Sequence, residues 1–256
     1  MGMEAVRDQL DWANHHLNIL DQVVSAYIDL KNIEFLPERY EDANTKAWGR
    51  LSAKKGSTKA ISHVFGDFLQ SANSCLDYLV CELFWRYNPG KPAKTSHKFP
   101  IVANHTAFNK EIGKEALFGI PFEAIAVIEG LQPYDGRTDA VHSNLNTLRI
   151  LTNKHKHTKI HVAALTANPS PSNVVPVVKD GIDYVRIGDL PSTLHFETKI
   201  GPFPIMENGC VDVDGKFTPM VVVEESECRG VLITLLAARL CEAVAEACNR
   251  FDQFFV

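Results

Sequence analysis

Two long segments that repeat apolar residues at helical spacing constrain the fold of this chain more than any other feature. The first segment covers residues 4–33. The second covers residues 57–87, and its apolar positions recur every three or four residues, at Ile61, Val64, Phe68, Ala72, Cys75, Leu79 and Leu83. One amphipathic helix cannot bury its own apolar stripe, so each of these helices needs partners. The pattern therefore predicts a bundle of long helices.

Shorter stretches with the same spacing predict further helices at residues 122–131, 140–156 and 229–255. Pro37 is expected to end or redirect the first helix, because proline lacks a backbone donor and clashes with the preceding turn. Residues 88–119 begin with Asn-Pro-Gly and mix helix breakers with polar residues, so they are expected to be irregular. The last helix is expected to pack back on the N-terminal helices.

The pattern changes between residues 159 and 225, where β-branched runs are bounded by Gly, Pro and Asn. Asp180-Gly181 predicts a β-hairpin, and Asp214-Gly215 predicts a second turn. We therefore predict an α+β fold, mainly a bundle of long α-helices with a small antiparallel β-sheet inserted before the C-terminal helix. A single domain would cover residues 1–256, with the bundle at 1–158 and 226–256 and the β-rich insertion at 159–225.

Charge and composition argue against several classes of function. The formal net charge is −5, which does not suit a generally basic nucleic-acid surface. No apolar run approaches the roughly 20 residues that span a bilayer, and the N-terminus lacks the features of a signal peptide. The six cysteines form no CxxC pair. We expect a cytoplasmic protein with no membrane partner.

Motifs for cofactors and metals are missing from the sequence. It contains no GxGxxG, P-loop, GxSxG or HExxH pattern, so no cofactor is expected. His155, His157 and His161 suggest zinc, but no nearby Asp, Glu or Cys completes a ligand set. We therefore predict no metal site.

Positive charge is concentrated near the end of the helix predicted at 140–156. Residues 140–179 contain no Asp or Glu, although the whole chain is acidic. Such a concentration of basic residues attracts anions. The predicted anion-binding residues are Arg149, Asn153, Lys154, Lys156 and His157. The alternative is a solvated helix end, where basic side chains suit the negative end of the helix dipole.

His155 continues the apolar face of that helix, because it lies four residues after Leu151 and seven after Leu148. It should therefore point inward, and an inward histidine needs a polar partner. Asp77, at the edge of the apolar stripe of the second helix, is the candidate. We predict a structural polar link between Asp77 and His155 or Lys154.

Two segments resemble a group of uncharacterised bacterial helical proteins. LQSANSCLDYLVCEL resembles their LRSALDHLA helix, and LQPY followed by LRILTNKHKH resembles their LQPY and NIDKHR segments. Asp77, Asn153, Lys154 and His155 match those motifs, whereas Tyr78 replaces the usual His. The resemblance covers roughly residues 57–160 and implies no particular activity.

A more distant resemblance is to HEPN domains, helical bundles that include metal-independent ribonucleases. Their signature is Arg, four to six residues, then His, and five residues separate Arg149 from His155. The resemblance implies that Arg149 would steady a phosphate and that His155 would move a proton at a ribose hydroxyl, usually across a dimer. Ile150 departs from the pattern, because a polar residue commonly follows the Arg. On an ideal helix the pair also lies about 120° apart.

Three functions follow from these observations. The leading hypothesis is a non-catalytic binding or interaction protein whose basic site holds RNA or another anionic partner. The alternative is a HEPN-like ribonuclease in which Arg149 and His155 are catalytic. The third is a structural protein that forms a homodimer and has no anion site.

Overall fold

A computed structural model describes residues 2–28, 33–39, 46–53, 58–134, 137, 139–167, 193–195, 199–204 and 218–256. Most of the described chain is helical. The six α-helices are α1 (Met3–Ile28), α2 (Lys59–Tyr87), α3 (His105–Gly113), α4 (Phe122–Gly130), α5 (Ala140–His157) and α6 (Ile233–Asn249). Short 3-10 turns at Ser226–Cys228 and Asp252–Phe254 flank α6. The prediction of a mainly helical chain is confirmed.

Helix α2 lies at the centre of the apolar core. It contacts α1, α5 and α6, and α6 also contacts α1 and α5. The stripe predicted from the sequence accounts for this position, because the side chains that widen it are also buried, among them Phe65, Leu76 and Val80. Burying several faces of one helix requires several partners. The expectation that the C-terminal helix packs on the N-terminal helices is confirmed.

The described strands form two antiparallel sheets of three strands each. One has the order β1-β2-β5, with β1 at Ile33–Arg39, β2 at Lys46–Ala53 and β5 at Lys199–Pro204. The other has the order β4-β3-β6, with β3 at Val162–Ala167, β4 at Thr193–His195 and β6 at Thr218–Val223. In the second sheet Val162 pairs with Val223 and Leu165 with both Met220 and His195. A small antiparallel sheet before the C-terminal helix is thereby confirmed.

Three sequence predictions need correction. Strands are not confined to residues 159–225, because β1 and β2 precede α2 and β2 pairs with β5. Pro37 lies within β1 and does not act as a helix terminator; β1 is an edge strand, where a missing N–H donor is tolerated. The segment expected to be irregular contains α3, whose N-terminus is capped because Asn104 Oδ1 accepts the Ala107 N–H at 2.8 Å.

Some predicted features lie outside the described residues, namely the Asp180-Gly181 hairpin and the Asp214-Gly215 turn. Among the helices of the described segments, none is both long enough and apolar enough to cross a bilayer.

Candidate anion-binding cleft

A polar cleft lies beside the contact between α2 and α5. Asn73 and Asp77 line it from α2, and Arg149, Asn153 and Lys156 line it from α5. Each set follows helical spacing, i and i+4 on α2 and i, i+4 and i+7 on α5, so each set occupies one face of its helix. The cleft has a volume of about 220 Å³. Pockets for drug-sized ligands enclose roughly 300–1,000 Å³, so this cleft suits a small ion or one charged group of a larger ligand.

The third wall of the cleft is the extended segment at residues 98–102, which precedes α3. Two side chains fix its backbone. The Phe99 N–H donates to Asp77 Oδ1 at 2.8 Å, and the Val102 N–H donates to Gln132 Oε1 at 3.0 Å. Gln132 is fully buried, and its Nε2 donates to the Ile128 carbonyl at 2.9 Å. These two bonds attach the segment to α2 and to Gln132, just after the end of α4, and so place it opposite α5.

Asp77 has an unusual ionisation for an aspartate. Burial raises its pKa to about 6, although the Phe99 N–H bond and the charges of Lys156 and Lys98 act in the opposite direction. Its second oxygen, Oδ2, accepts a bond from Asn73 Nδ2 at 3.3 Å. Desolvation disfavours the charged carboxylate, so the neutral acid persists to higher pH than in water. The cleft therefore contains an acid that changes charge close to physiological pH.

Two cations of the cleft pair with no carboxylate among the described residues. Arg149 is half-buried, and its Nη2 and Nε both donate to Asn146 Oδ1, at 2.8 and 3.3 Å. This contact orients the guanidinium and leaves the remaining donors on Nη1 and Nη2 without an acceptor among the residues that the structure describes. Lys156 is exposed, and its charge acts on Asp77. A half-buried arginine that pairs with no carboxylate of the described residues can bind an oxyanion.

The other acid of the cleft is already neutralised. Glu111 contacts Lys98 Nζ at 2.8 Å and Lys114 Nζ at 2.9 Å, and the hydrogen bonds from these two lysines lower its pKa. The charges of Glu111 and Lys98 therefore cancel each other within the cleft. Arg149 and Lys156 are left facing the single carboxyl group of Asp77, which gives the cleft an excess of positive charge.

Three of the five predicted anion-binding residues line this cleft, namely Arg149, Asn153 and Lys156. Lys154 does not, because its Nζ donates to Glu225, whose side chain is buried and whose Oε1 accepts the His161 N–H at 2.8 Å. Lys154 thus ties the end of α5 to the start of the 3-10 turn before α6. His157 is exposed and does not line the cleft.

His155 turns away from the cleft and packs on α2 at Gly66. A Cβ at Gly66 would overlap the imidazole ring, so the two helices approach closely only because this residue is glycine. The ring is half-buried, and its Nδ1 is buried with no hydrogen-bond partner in the described part of the chain. The inward direction predicted for His155 agrees with this contact, but the expected polar partner is missing.

The predicted polar link between Asp77 and His155 or Lys154 is not formed. Asp77 bonds to Asn73 and the Phe99 N–H, and Lys154 pairs with Glu225. The reason lies in the axial position along α2, because Gly66 precedes Asp77 by eleven residues. That separation is about 16 Å along a helix, which is too far for a direct hydrogen bond.

The predicted catalytic pair is likewise not assembled in the cleft, since Arg149 lines it and His155 does not. The two residues lie on different faces of α5, as the helical angle between them requires. The prediction that this pair acts across a dimer stays a prediction.

Several residues that line or support the cleft are not identified from the sequence. Lys98 and Glu111 lie in the stretch expected to be irregular, where no periodic pattern marks a surface. Gln132 belongs to the LQPY segment that carries the bacterial resemblance, and its bond to Val102 gives that segment a structural role. The resemblance pointed to the segment, but nothing in the sequence pointed to the bond.

Within the described segments, no three His, Cys, Asp or Glu side chains lie close enough together to hold a metal ion. Comparison of the chain with family models, curated proteins and solved structures finds no match to any of them.

Proposed function

We propose that this chain is a binding protein that holds a small anionic group in the cleft between α2, α5 and the segment at residues 98–102. The observation that carries the proposal is the half-buried guanidinium of Arg149, which lines the cleft beside Lys156 without a carboxylate partner among the described residues. A half-buried guanidinium forms charge-assisted hydrogen bonds with an oxyanion, which are stronger than its bonds to neutral acceptors.

The charges of the cleft support the same proposal. Glu111 is neutralised by Lys98 and Lys114, so it does not compete for Arg149. Asp77 is half-buried, and its raised pKa of about 6 means that it loses its charge in mildly acid solution. An anion therefore meets two cations and one titratable acid, a combination that attracts negative charge.

These contacts support binding more than the ribonuclease alternative. General acid–base chemistry requires the histidine within hydrogen-bond reach of the group that reacts. His155 packs on Gly66, outside the set of residues that line the cleft with Arg149. RNA and smaller anions are both proposed ligands, and the next experiment compares them.

Calorimetric titration with inorganic phosphate and with a short single-stranded RNA tests the proposal. We expect saturable anion binding that weakens as salt is added, because the attraction is electrostatic. Arg149→Gln should weaken affinity by about tenfold or more, which corresponds to the loss of at least one charge-assisted hydrogen bond. Lys156→Gln should weaken it by a smaller factor, because Lys156 is exposed.

Lys159→Gln is the matched control, because Lys159 is an exposed basic residue of the same region that does not line the cleft. Lys159→Gln removes one positive charge, as Arg149→Gln does, but it should leave the anion affinity within about twofold of that of the unmodified chain. The proposal fails if no anion binds, or if Arg149→Gln weakens binding no more than Lys159→Gln does. RNA cleavage that is lost in His155→Ala would support the ribonuclease instead.

A further inference from the structure

A carboxyl group at an anion site needs an explanation, and the following inference rests on the proposed function. Asp77 lines the cleft together with Arg149 and Lys156. Its two oxygens are oriented by the Phe99 N–H and by Asn73 Nδ2. An ionised carboxylate can only accept hydrogen bonds. It therefore repels a fully deprotonated oxyanion but can accept a bond from a ligand that carries its own hydroxyl.

We propose that the cleft selects oxyanions that keep a proton on oxygen at neutral pH, with inorganic phosphate as the simplest member, and that Asp77 accepts the hydrogen bond from that hydroxyl. Arg149 and Lys156 then contact the unprotonated oxygens of the same anion. Sulfate and phosphodiesters have no proton to donate at neutral pH, so they would place an oxygen lone pair against the ionised carboxylate. Selectivity arises from that repulsion as much as from attraction.

The fixed position of Asp77 makes the selection effective. The carboxyl cannot rotate away from an unsuitable anion without breaking its bond to the Phe99 N–H, which holds the third wall of the cleft. Sulfate can bind only when Asp77 itself carries the proton and becomes the donor. Binding of sulfate must then take up one proton from solution, whereas hydrogenphosphate brings its own.

Other charged and titratable groups also surround Asp77. The basic groups are Lys156 and Arg149 on α5 and Lys98 before α3. On its own helix, Asp77 acts on Cys81, whose pKa is raised, chiefly by burial. Glu82, also on α2, is buried with its pKa raised, and it acts on Cys81. Glu111 on α3 is held ionised by its two lysines.

Titration calorimetry of the full chain with inorganic phosphate, methyl phosphate and sulfate from pH 5.5 to 8 tests this inference. At pH 8 we expect phosphate to bind at least about tenfold more tightly than sulfate, because only phosphate carries a proton there. Sulfate affinity should rise up to about tenfold per pH unit as the pH falls from 8 towards 6, and then level off. Methyl phosphate loses its last proton near pH 6, so at pH 8 it should bind as weakly as sulfate.

Asp77→Asn identifies the group that takes up the proton. The amide keeps an acceptor for the Phe99 N–H and adds a permanent donor, so sulfate should bind this variant without pH dependence and within about threefold of phosphate. Asp67→Asn is the matched control, since Asp67 is an exposed acid of the same helix that does not line the cleft. It should retain the selectivity of the unmodified chain.

Each outcome decides the inference. If sulfate or methyl phosphate binds the unmodified chain as tightly as phosphate does at pH 8, the inference is overturned and the proposed anion site remains. If the selectivity persists in Asp77→Asn, another group is responsible and the inference is again wrong. If none of the three anions binds, the proposed function fails with it. Should Asp77→Asn not fold, the pH dependence of the unmodified chain still decides.

Discussion

Asp77 in its ionised form lowers the stability of the folded chain. Its pKa is about 6 in the folded state, against an ordinary value of 3.8. The folded state therefore binds more protons than the unfolded state between these two values, so stability falls as the pH rises from about 4 to 6. Above pH 6 the loss is complete. A shift of about two pKa units corresponds to at most about 3 kcal/mol, and partial exposure to solvent reduces it.

Asp77→Asn should consequently stabilise the protein above pH 6. The substitution removes the half-buried charge and keeps an oxygen for the Phe99 N–H, so we expect a gain of about 1–3 kcal/mol in the free energy of unfolding at pH 8. The gain should shrink as the pH falls towards 4. Urea denaturation at both ends of this range measures it, with Asp67→Asn as the control. A loss of stability at pH 8 would show that the carboxylate is favoured in the fold and that burial does not dominate.

Gly66 and His155 form a contact whose energy can be isolated. Gly66→Ala should destabilise the chain by about 1–3 kcal/mol, because its Cβ overlaps the imidazole ring. In a His155→Ala background the same change should stabilise by about 0.5–1 kcal/mol, since alanine favours a helix over glycine once the ring is gone. A double-mutant cycle of unfolding free energies measures this reversal of sign. An equal effect of Gly66→Ala in both backgrounds would mean that the ring does not pack there.

At the scale of elements, the spacing of apolar residues predicts the helices that carry a repeating apolar stripe and misses the elements that lack one. Helices α2, α4 and α5 lie within two residues of their predicted bounds, because a repeating apolar stripe spans each of them. Helix α3 was not predicted. It has nine residues and a single fully buried aromatic side chain, Phe108, so its start is marked only by the cap at Asn104. The sequence does not predict strand β1 either, because a proline such as Pro37 is compatible both with the end of a helix and with an edge strand.

The candidate site was predictable only where one helix carries it. Arg149, Asn153 and Lys156 were identified because they lie close together on α5 in a region without acids. Lys154 belongs to the same basic region of α5, yet it pairs with Glu225, which lies 71 residues later. Neighbouring positions in the sequence do not show whether a basic side chain lines the cleft or pairs with a buried acid. That difference depends on contacts with residues far away in the sequence. The third wall of the cleft was beyond prediction for the same reason.

At the scale of the whole molecule, the cleft joins a rigid element to a less rigid one. Helix α2 has 29 residues and packs on α1, α5 and α6. Helix α3, which supplies Glu111, has nine residues, and its Ile112 is exposed. Local stability follows the number of buried contacts and the length of the hydrogen-bonded element. One side of the cleft is therefore set by the core, and the opposite side can open without unfolding the rest.

Native-state hydrogen exchange resolves this difference. We expect the amides of α2 between residues 65 and 84 to exchange only through global unfolding. Those of α3 should exchange through local opening that costs at least about 2 kcal/mol less. Inorganic phosphate should slow exchange in α2, because a ligand that binds only the folded state raises the free energy of global unfolding. It should also slow exchange in residues 98–102, because the bound anion contacts Asp77, which accepts the Phe99 N–H. Equal protection of α2 and α3 without the ligand would mean that both sides of the cleft belong to one cooperative unit.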